Sequence, residues 1–226
     1  MKTVCLFDID GTLLDSGGAG QHAMEQALLE AFAVTGPYTD IPAAGRTDKA
    51  ITTDLFAHHA LLPDEANWDR FLKAYLEHLP RSLRHKNGST LPGVVHLLEE
   101  LNHRQDVVLG LLTGNLKVGA MLKLKHFSID HYFRFGGYGD LHFDRDDVAR
   151  LAYDAAARHL QQTLHPDRVW VIGDTPADVQ CGRAIGARVL AVGTGIHPPE
   201  ELATCRPDHL FTSLEDVDAV MRVLTS

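Results

Sequence analysis

Short, unbroken apolar runs punctuate the chain, and each ends in a cluster of Gly, Asp, Thr or Asn. Residues 4–7 lead into Asp8-Ile9-Asp10-Gly11-Thr12, and 107–112 into Thr113-Gly114-Asn115. Residues 169–172 lead into Gly173-Asp174-Thr175-Pro176, and 189–192 into Gly193-Thr194-Gly195. Continuous β-branched runs predict strands buried on both faces, since strands with one wet face alternate instead. Residues 133–135 and 209–211 are weaker strand candidates. Between the runs, apolar residues recur at helical spacing over 93–103 (Val94, Leu97, Leu98, Leu101) and over 146–162 (Val148, Leu151, Ala152, Ala155, Leu160). A shorter helix is expected over 176–185, with Pro176 at its start and Gly186 beyond its end. Strands alternating with helices from residue 86 onward predict an α/β fold with a doubly wound parallel sheet.

The hundred or so residues between the first two strands are too many for one crossover helix. Gly17-Gly18-Ala19-Gly20 and Lys86-Asn87-Gly88-Ser89 read as flexible borders, and helices are expected over 19–34, 47–59 and 64–79. The organisation this predicts is a Rossmann-like core of residues 1–15 and 85–226 carrying an inserted all-helical cap of residues 16–84.

Composition fits that picture. At 226 residues, 45% hydrophobic and 23% charged, the chain is neither disordered nor fibrous. With 30 Asp and Glu against 21 Lys and Arg, the net charge of -9 argues against nucleic acid and anionic membranes as partners. Cys5, Cys181 and Cys205 are too scattered for a disulfide framework, and no apolar run is long enough to cross a bilayer. A cytoplasmic protein, monomer or homodimer, is expected.

In an open parallel sheet, ligands bind at the carboxyl ends of the strands. Those ends carry Asp8, Asp10, Thr113, Asn115 and Asp174, with Asp178 one turn into the next helix. A single Asp after a strand is commonly no more than a helix cap or turn residue. Several together are different, because two carboxylates about 4 Å apart repel by roughly 4 kcal/mol at an effective dielectric near 20. Clustered carboxylates with no Lys in their loops and no His or Cys beside them call for a hard divalent cation, Mg²⁺ before Zn²⁺.

The stretch Phe7-Asp8-Ile9-Asp10-Gly11-Thr12-Leu13-Leu14-Asp15-Ser16 resembles the DxDGTLxDS signature of the haloacid dehalogenase superfamily, and within it the phosphoglycolate phosphatase-like hydrolases with a helical cap. Leu111-Leu112-Thr113-Gly114-Asn115 resembles the second motif, 171–178 the fourth, and Leu91-Pro92-Gly93-Val94 the re-entry into the core after the cap. The resemblance implies a Mg²⁺-dependent phosphomonoester hydrolase acting on a small phosphorylated metabolite. Asp8 would be the nucleophile, forming an aspartyl-phosphate, and Asp10 the acid and base. Asp8, the Asp10 carbonyl and Asp174 would hold the metal, with Asp178 acting nearby through water. Thr113 and the main chain at Gly114 and Asn115 would bind the phosphate.

The third motif departs from the family pattern, which places a Lys before the helix preceding the fourth. No Lys occurs after Lys125, and Arg145 sits at the matching distance, with Arg150 and Arg134 as rivals. In the cap, Ala43-Ala44-Gly45-Arg46-Thr47-Asp48 resembles the Gly-containing loop that faces the site in capped relatives, so Gly45 and Arg46 (or Lys49) are candidates to meet the substrate. With six Lys or Arg against nine Asp or Glu, the cap carries a net -3. Three other readings share these residues. A haloacid dehalogenase would need neither Asp10 nor the metal acids. A phosphosugar mutase would use the same aspartyl-phosphate, and a receiver-like regulatory module would be phosphorylated without turnover.

Overall fold

The computed structural model describes residues 2–36, 38 and 40–226. Five strands form at the apolar runs: β1 (Thr3–Phe7), β4 (Val107–Leu112), β6 (Val169–Gly173), β7 (Arg188–Val192) and β8 (His209–Phe211). With β5 (Gly136–Gly137) they make one six-stranded sheet in the order β5-β4-β1-β6-β7-β8, every pair parallel. The fifth strand lies just beyond the expected 133–135. Leu111 N–H donates to the Phe135 carbonyl, but regular pairing begins only at Gly136 and Gly137. A Cβ at Gly137 would run into the Val148 carbonyl, so this glycine is what lets helix α6 (Arg145–Leu160) lie so close to the strand.

Period-two side-chain alternation divides the core between the two sheet faces. Cys5, Phe7, Leu109, Leu111, Trp170 and Ile172 pack on α4 (Val94–His103), α5 (Lys117–His126) and α9 (Val217–Leu224). Val4, Leu6, Val171 and Val189 pack on the other side against α6 (Arg145–Leu160) and α7 (Pro176–Ala184). The chain winds one way through β1, β4 and β5 and then the other way through β6, β7 and β8. The crevice between β1 and β6 is therefore the topological switch point, where such sheets bind ligands. Helices α5, α8 (Pro199–Thr204) and α9 lie outside the expected periodic segments. Asp216 caps α9 through the Ala219 N–H, but the helix is only two turns long.

The inserted region is helical: α1 (Ala19–Phe32), α2 (Asp48–His58) and α3 (Glu65–His85). These enclose a third core containing Met24, Leu28, Leu55, Phe56, Phe71 and Tyr75. Thr47 and Asp64 set the starts of α2 and α3 by accepting the Ala50 and Asn67 N–H groups. A two-residue antiparallel pair, β2 (Leu14–Asp15) with β3 (Ser89–Thr90), ties together the segments entering and leaving the cap. Among the described residues, no helix is long and apolar enough to cross a membrane.

Candidate active site

Strand order alone brings three motifs together. β1 lies between β4 and β6, so the residues that follow these strands share one edge about 5 Å apart. Asp8 N–H still donates to the Ile172 carbonyl at 2.9 Å, and Thr113 N–H to the Gly137 carbonyl at 3.2 Å, so the ladder itself aims both residues. One carboxylate oxygen each from Asp8, Asp174 and Asp178 lies within 4.8 Å of the others, all three side chains buried.

Arg145 enters this group from the first turn of α6. Its Nη2 is 3.0 Å from Asp8 Oδ1 and 2.5 Å from Asp178 Oδ1, and the residue is only 7% exposed. Its rival Arg150 pairs instead with Asp147 on the surface. Asp178 serves two purposes at once. Its Oδ2 accepts from the Thr175 N–H and hydroxyl in a capping box at the start of α7, while Oδ1 faces Arg145. Asp174 accepts from the Thr12 hydroxyl at 2.8 Å. A Cβ at Gly11 or Gly195 would run into its carboxylate, so both glycines make room for it.

Asp10 is gripped separately. Asn115 Nδ2 donates to its Oδ2 at 2.8 Å and Lys123 Nζ at 2.5 Å. Lys123 is the main site residue missing from the sequence expectations, since it sits two turns into α5 and not in a strand-end loop. Gly119, Ala120, Lys123 and Leu124 form the buried face of that helix, and a lysine on such a stripe is the signal that could have found it. Thr113 is fully buried, and its Oγ1 accepts from Asn115 N–H and Nδ2, so it orients Asn115 from behind.

The cap reaches the site through residues 43–48. Gly45 has φ +70°, and a Cβ there would stand 2.8 Å from the Ala177 Cβ. The Arg46 carbonyl packs on Gly114, where any Cβ would collide with it. Asp48 N–H donates to the Gly114 carbonyl at 2.7 Å, and Asp48 Oδ2 accepts the Leu116 N–H at 2.8 Å, just ahead of α5. The Arg46 guanidinium turns away to Asp54 at 2.7 Å and the Pro42 carbonyl at 3.0 Å, so the main chain of Arg46 meets the core while its charge is taken up locally. Lys49 lies over the Trp68 ring.

Beneath the cap is a cavity of about 690 Å³, lined by the expected site residues except Thr113, Asp178 and the alternative cap cation Lys49. With all three acids ionised, Asp8, Asp174 and Asp178 bring three negative charges and Arg145 one positive, leaving -2 in a buried space. Burial pushes the Asp8 carboxyl up to about 6, with Asp178 and Asp10 adding to the shift and Arg145 opposing it. Burial, Asp178 and Asp8 push Asp174 up to about 8, against the Thr12 bond and Arg145. Two uncompensated charges among oxygen-only donors fit a hard divalent cation such as Mg²⁺.

This electrostatic strain gives a first expectation. A carboxyl whose folded pKa is raised holds its proton more tightly than the unfolded chain does. It therefore stabilises the fold fully below the unfolded value near 4 and loses that contribution as pH rises through the folded value. For Asp8 and Asp174 the window runs from about pH 4 to about pH 8. In a chelator, Tm is expected to fall across that window, and added Mg²⁺ should raise Tm increasingly with pH. A Mg²⁺ shift in Tm equal at both ends of the window would contradict the assignment.

Residues 5–192 match the family of haloacid dehalogenase-like hydrolases. The chain belongs to that family. It is an enzyme, a hydrolase. It is 27% identical over 227 residues to a phosphoglycolate phosphatase of Photorhabdus laumondii, covering 93% of this chain and 88% of that one. It is 24% identical over 229 residues to the pyrophosphatase PpaX of Oceanobacillus iheyensis, covering 96% and 95%. Among solved structures, it resembles CbbY from Rhodobacter sphaeroides in complex with xylulose-(1,5)bisphosphate, with TM-score 0.76, 17% identity and 96% of each chain covered. That likeness speaks for the fold: a Rossmann-like core with a helical cap.

Proposed function

We propose that this family member is a Mg²⁺-dependent phosphomonoesterase that cleaves a small phosphorylated metabolite through an aspartyl-phosphate on Asp8. The observation that carries the reading is the pairing of two carboxylates in different settings. Asp8 lies buried among Asp174, Asp178 and Arg145, while Asp10, two residues on, is held apart by Asn115 and Lys123. In this reading the first acid attacks and the second moves a proton. Phosphatase and pyrophosphatase relatives support the same chemistry.

In this reading a carboxylate oxygen of Asp8 attacks phosphorus, and the bond to the leaving oxygen breaks in line. Asp10 gives that oxygen a proton. Both hydrogen bonds to Asp10 among the described residues go to Oδ2, so Oδ1 is the atom left to carry it. A water then attacks the phosphoryl group, Asp10 Oδ1 takes its proton, and Asp8 is released with inorganic phosphate. Asp8, Asp174 and the Asp10 carbonyl, with Asp178 close by, would hold Mg²⁺, which supplies charge neutralisation to the phosphate oxygens.

Arg145 keeps Asp8 in place and offers a further donor, because its Nε is buried without a hydrogen-bond partner among the described residues. Gly114 and Asn115 line the same cavity wall near the start of α5, where the Gly114 N–H is the main-chain donor left for the phosphate, since the Asn115 N–H already donates to Thr113 Oγ1. The cap over the strand ends keeps bulk water from the transferring group.

Phosphate release from a panel of phosphomonoesters tests the proposal. Release is expected with Mg²⁺ and not with a chelator. Isomerisation of a phosphosugar without net phosphate release would instead make the chain a mutase, and phosphorylation without turnover would make it a regulatory module.

A further inference from the structure

The cavity is several times larger than a phosphate needs, and its remaining wall shows what the leaving group is like. On the cap side stand Met24, Tyr38, Ile41, Ile51, Leu55 and Tyr75, which give that wall a broad apolar surface. Every cation on the lining already has a partner. Arg145 holds Asp8 and Asp178, Lys123 holds Asp10, and Arg46 holds Asp54 and the Pro42 carbonyl. No other Lys, Arg or His lines the cavity among the described residues. Away from the Asp8 cluster the wall also carries Asp10, Asp15, Glu25 and Asp48. Glu25 is half-buried, with Gln21 donating to it at 3.0 Å. The half of the cavity beyond the phosphate is therefore apolar with a negative bias.

We infer that this site takes phosphate esters of uncharged, largely apolar alcohols and disfavours substrates that bear a second phosphate or a carboxylate. The inference rests on the hydrolase reading and narrows it to a substrate class. A second anion would meet Asp15, Glu25 and Asp48 on the same lining, with Asp10 already paired to Lys123. The cations nearest that wall, Lys123 and Arg46, each already hold an acid, so a second anion would compete with Asp10 and Asp54 for them, and competition for Lys123 loosens the group that holds the proton-transfer residue. An apolar alcohol displaces water from the same wall and leaves these pairs intact. The preference sets this chain apart from what the names of its phosphoglycolate phosphatase and pyrophosphatase relatives suggest for those proteins.

A matched pair tests the inference: hexyl phosphate and its ω-carboxylate analogue, assayed for phosphate release with Mg²⁺ beside phosphoglycolate and pyrophosphate. The kcat/KM for hexyl phosphate is expected to exceed that of each anionic compound by at least about tenfold. In Glu25→Lys the ratio of hexyl phosphate to its carboxylate analogue should fall severalfold, because the variant reverses charge on the wall. Equal or better turnover of the anionic esters would overturn the inference while leaving the hydrolase reading intact. If Arg46 swings in to serve them, that advantage would disappear in Arg46→Gln. A ratio unmoved by Glu25→Lys would show that the wall does not sense the leaving group's charge. If no ester is turned over, the hydrolase reading itself falls and takes the inference with it.

Discussion

Asp8→Asn is expected to lose phosphatase activity by about 10⁴-fold or more while remaining folded, because an amide is a far poorer nucleophile of the same shape. The second half of that expectation is the sharper one. Asp8 is buried against Asp178 and Asp174, and its carboxyl is already pushed up to about 6, so its charge destabilises the metal-free protein at neutral pH. Removing the charge should leave the metal-free Tm unchanged or raise it, and should shrink the Tm gain from Mg²⁺. Steady-state phosphate release and thermal melts with and without Mg²⁺ check both parts. A variant that loses activity only because it unfolds would show a lowered Tm in both conditions.

Arg145→Ala carries the second large effect. The guanidinium touches both Asp8 and Asp178 from a buried position. Breaking one side of a buried ion pair costs about 3–5 kcal/mol, since the partners keep their desolvation cost without the attraction. The site charge would go from -2 to -3, so the loss in stability should be larger toward pH 8 and partly recovered by Mg²⁺. Turnover is expected to fall by about 10²–10³-fold, the range for removing one donor aimed at developing charge. Arg145→Lys restores a positive charge but not the planar fork, so stability should recover more fully than rate. Near wild-type rates in Arg145→Ala would remove this side chain from the chemistry.

Much of the site is legible in the sequence, and the reason is local. Asp8, Asp10, Thr113 and Asp174 follow strands within three residues, so the hydrogen-bond ladder that sets each strand also sets them. Asp178 is fixed by the capping box that starts α7, whose Thr175 and Asp178 lie only three residues apart on the chain. Arg145 could be placed by its distance from a helix with clear periodicity. Lys123 could not, since its position depends on how α5 rotates against the sheet and against α3 of the cap. The Thr12 bond to Asp174 joins residues 162 positions apart. The direction of Arg46 was equally out of reach. Its loop resembles one that faces a substrate, but Asp54, two turns along α2, captures the guanidinium. The strand expected over 133–135 forms instead at Gly136–Gly137, because its pairing falls on two glycines, which carry no hydrophobic signal.

The central claim is that phosphorus passes through Asp8. Acid quench during turnover of a phosphomonoester with Mg²⁺, followed by peptide mapping, tests it most directly. The expected result is a phosphoryl group on the peptide containing Asp8, absent in Asp8→Asn and discharged when turnover is allowed to finish. Full phosphate release with no phosphorylated peptide at any quench time, or a phosphoryl group on another residue, would contradict the account.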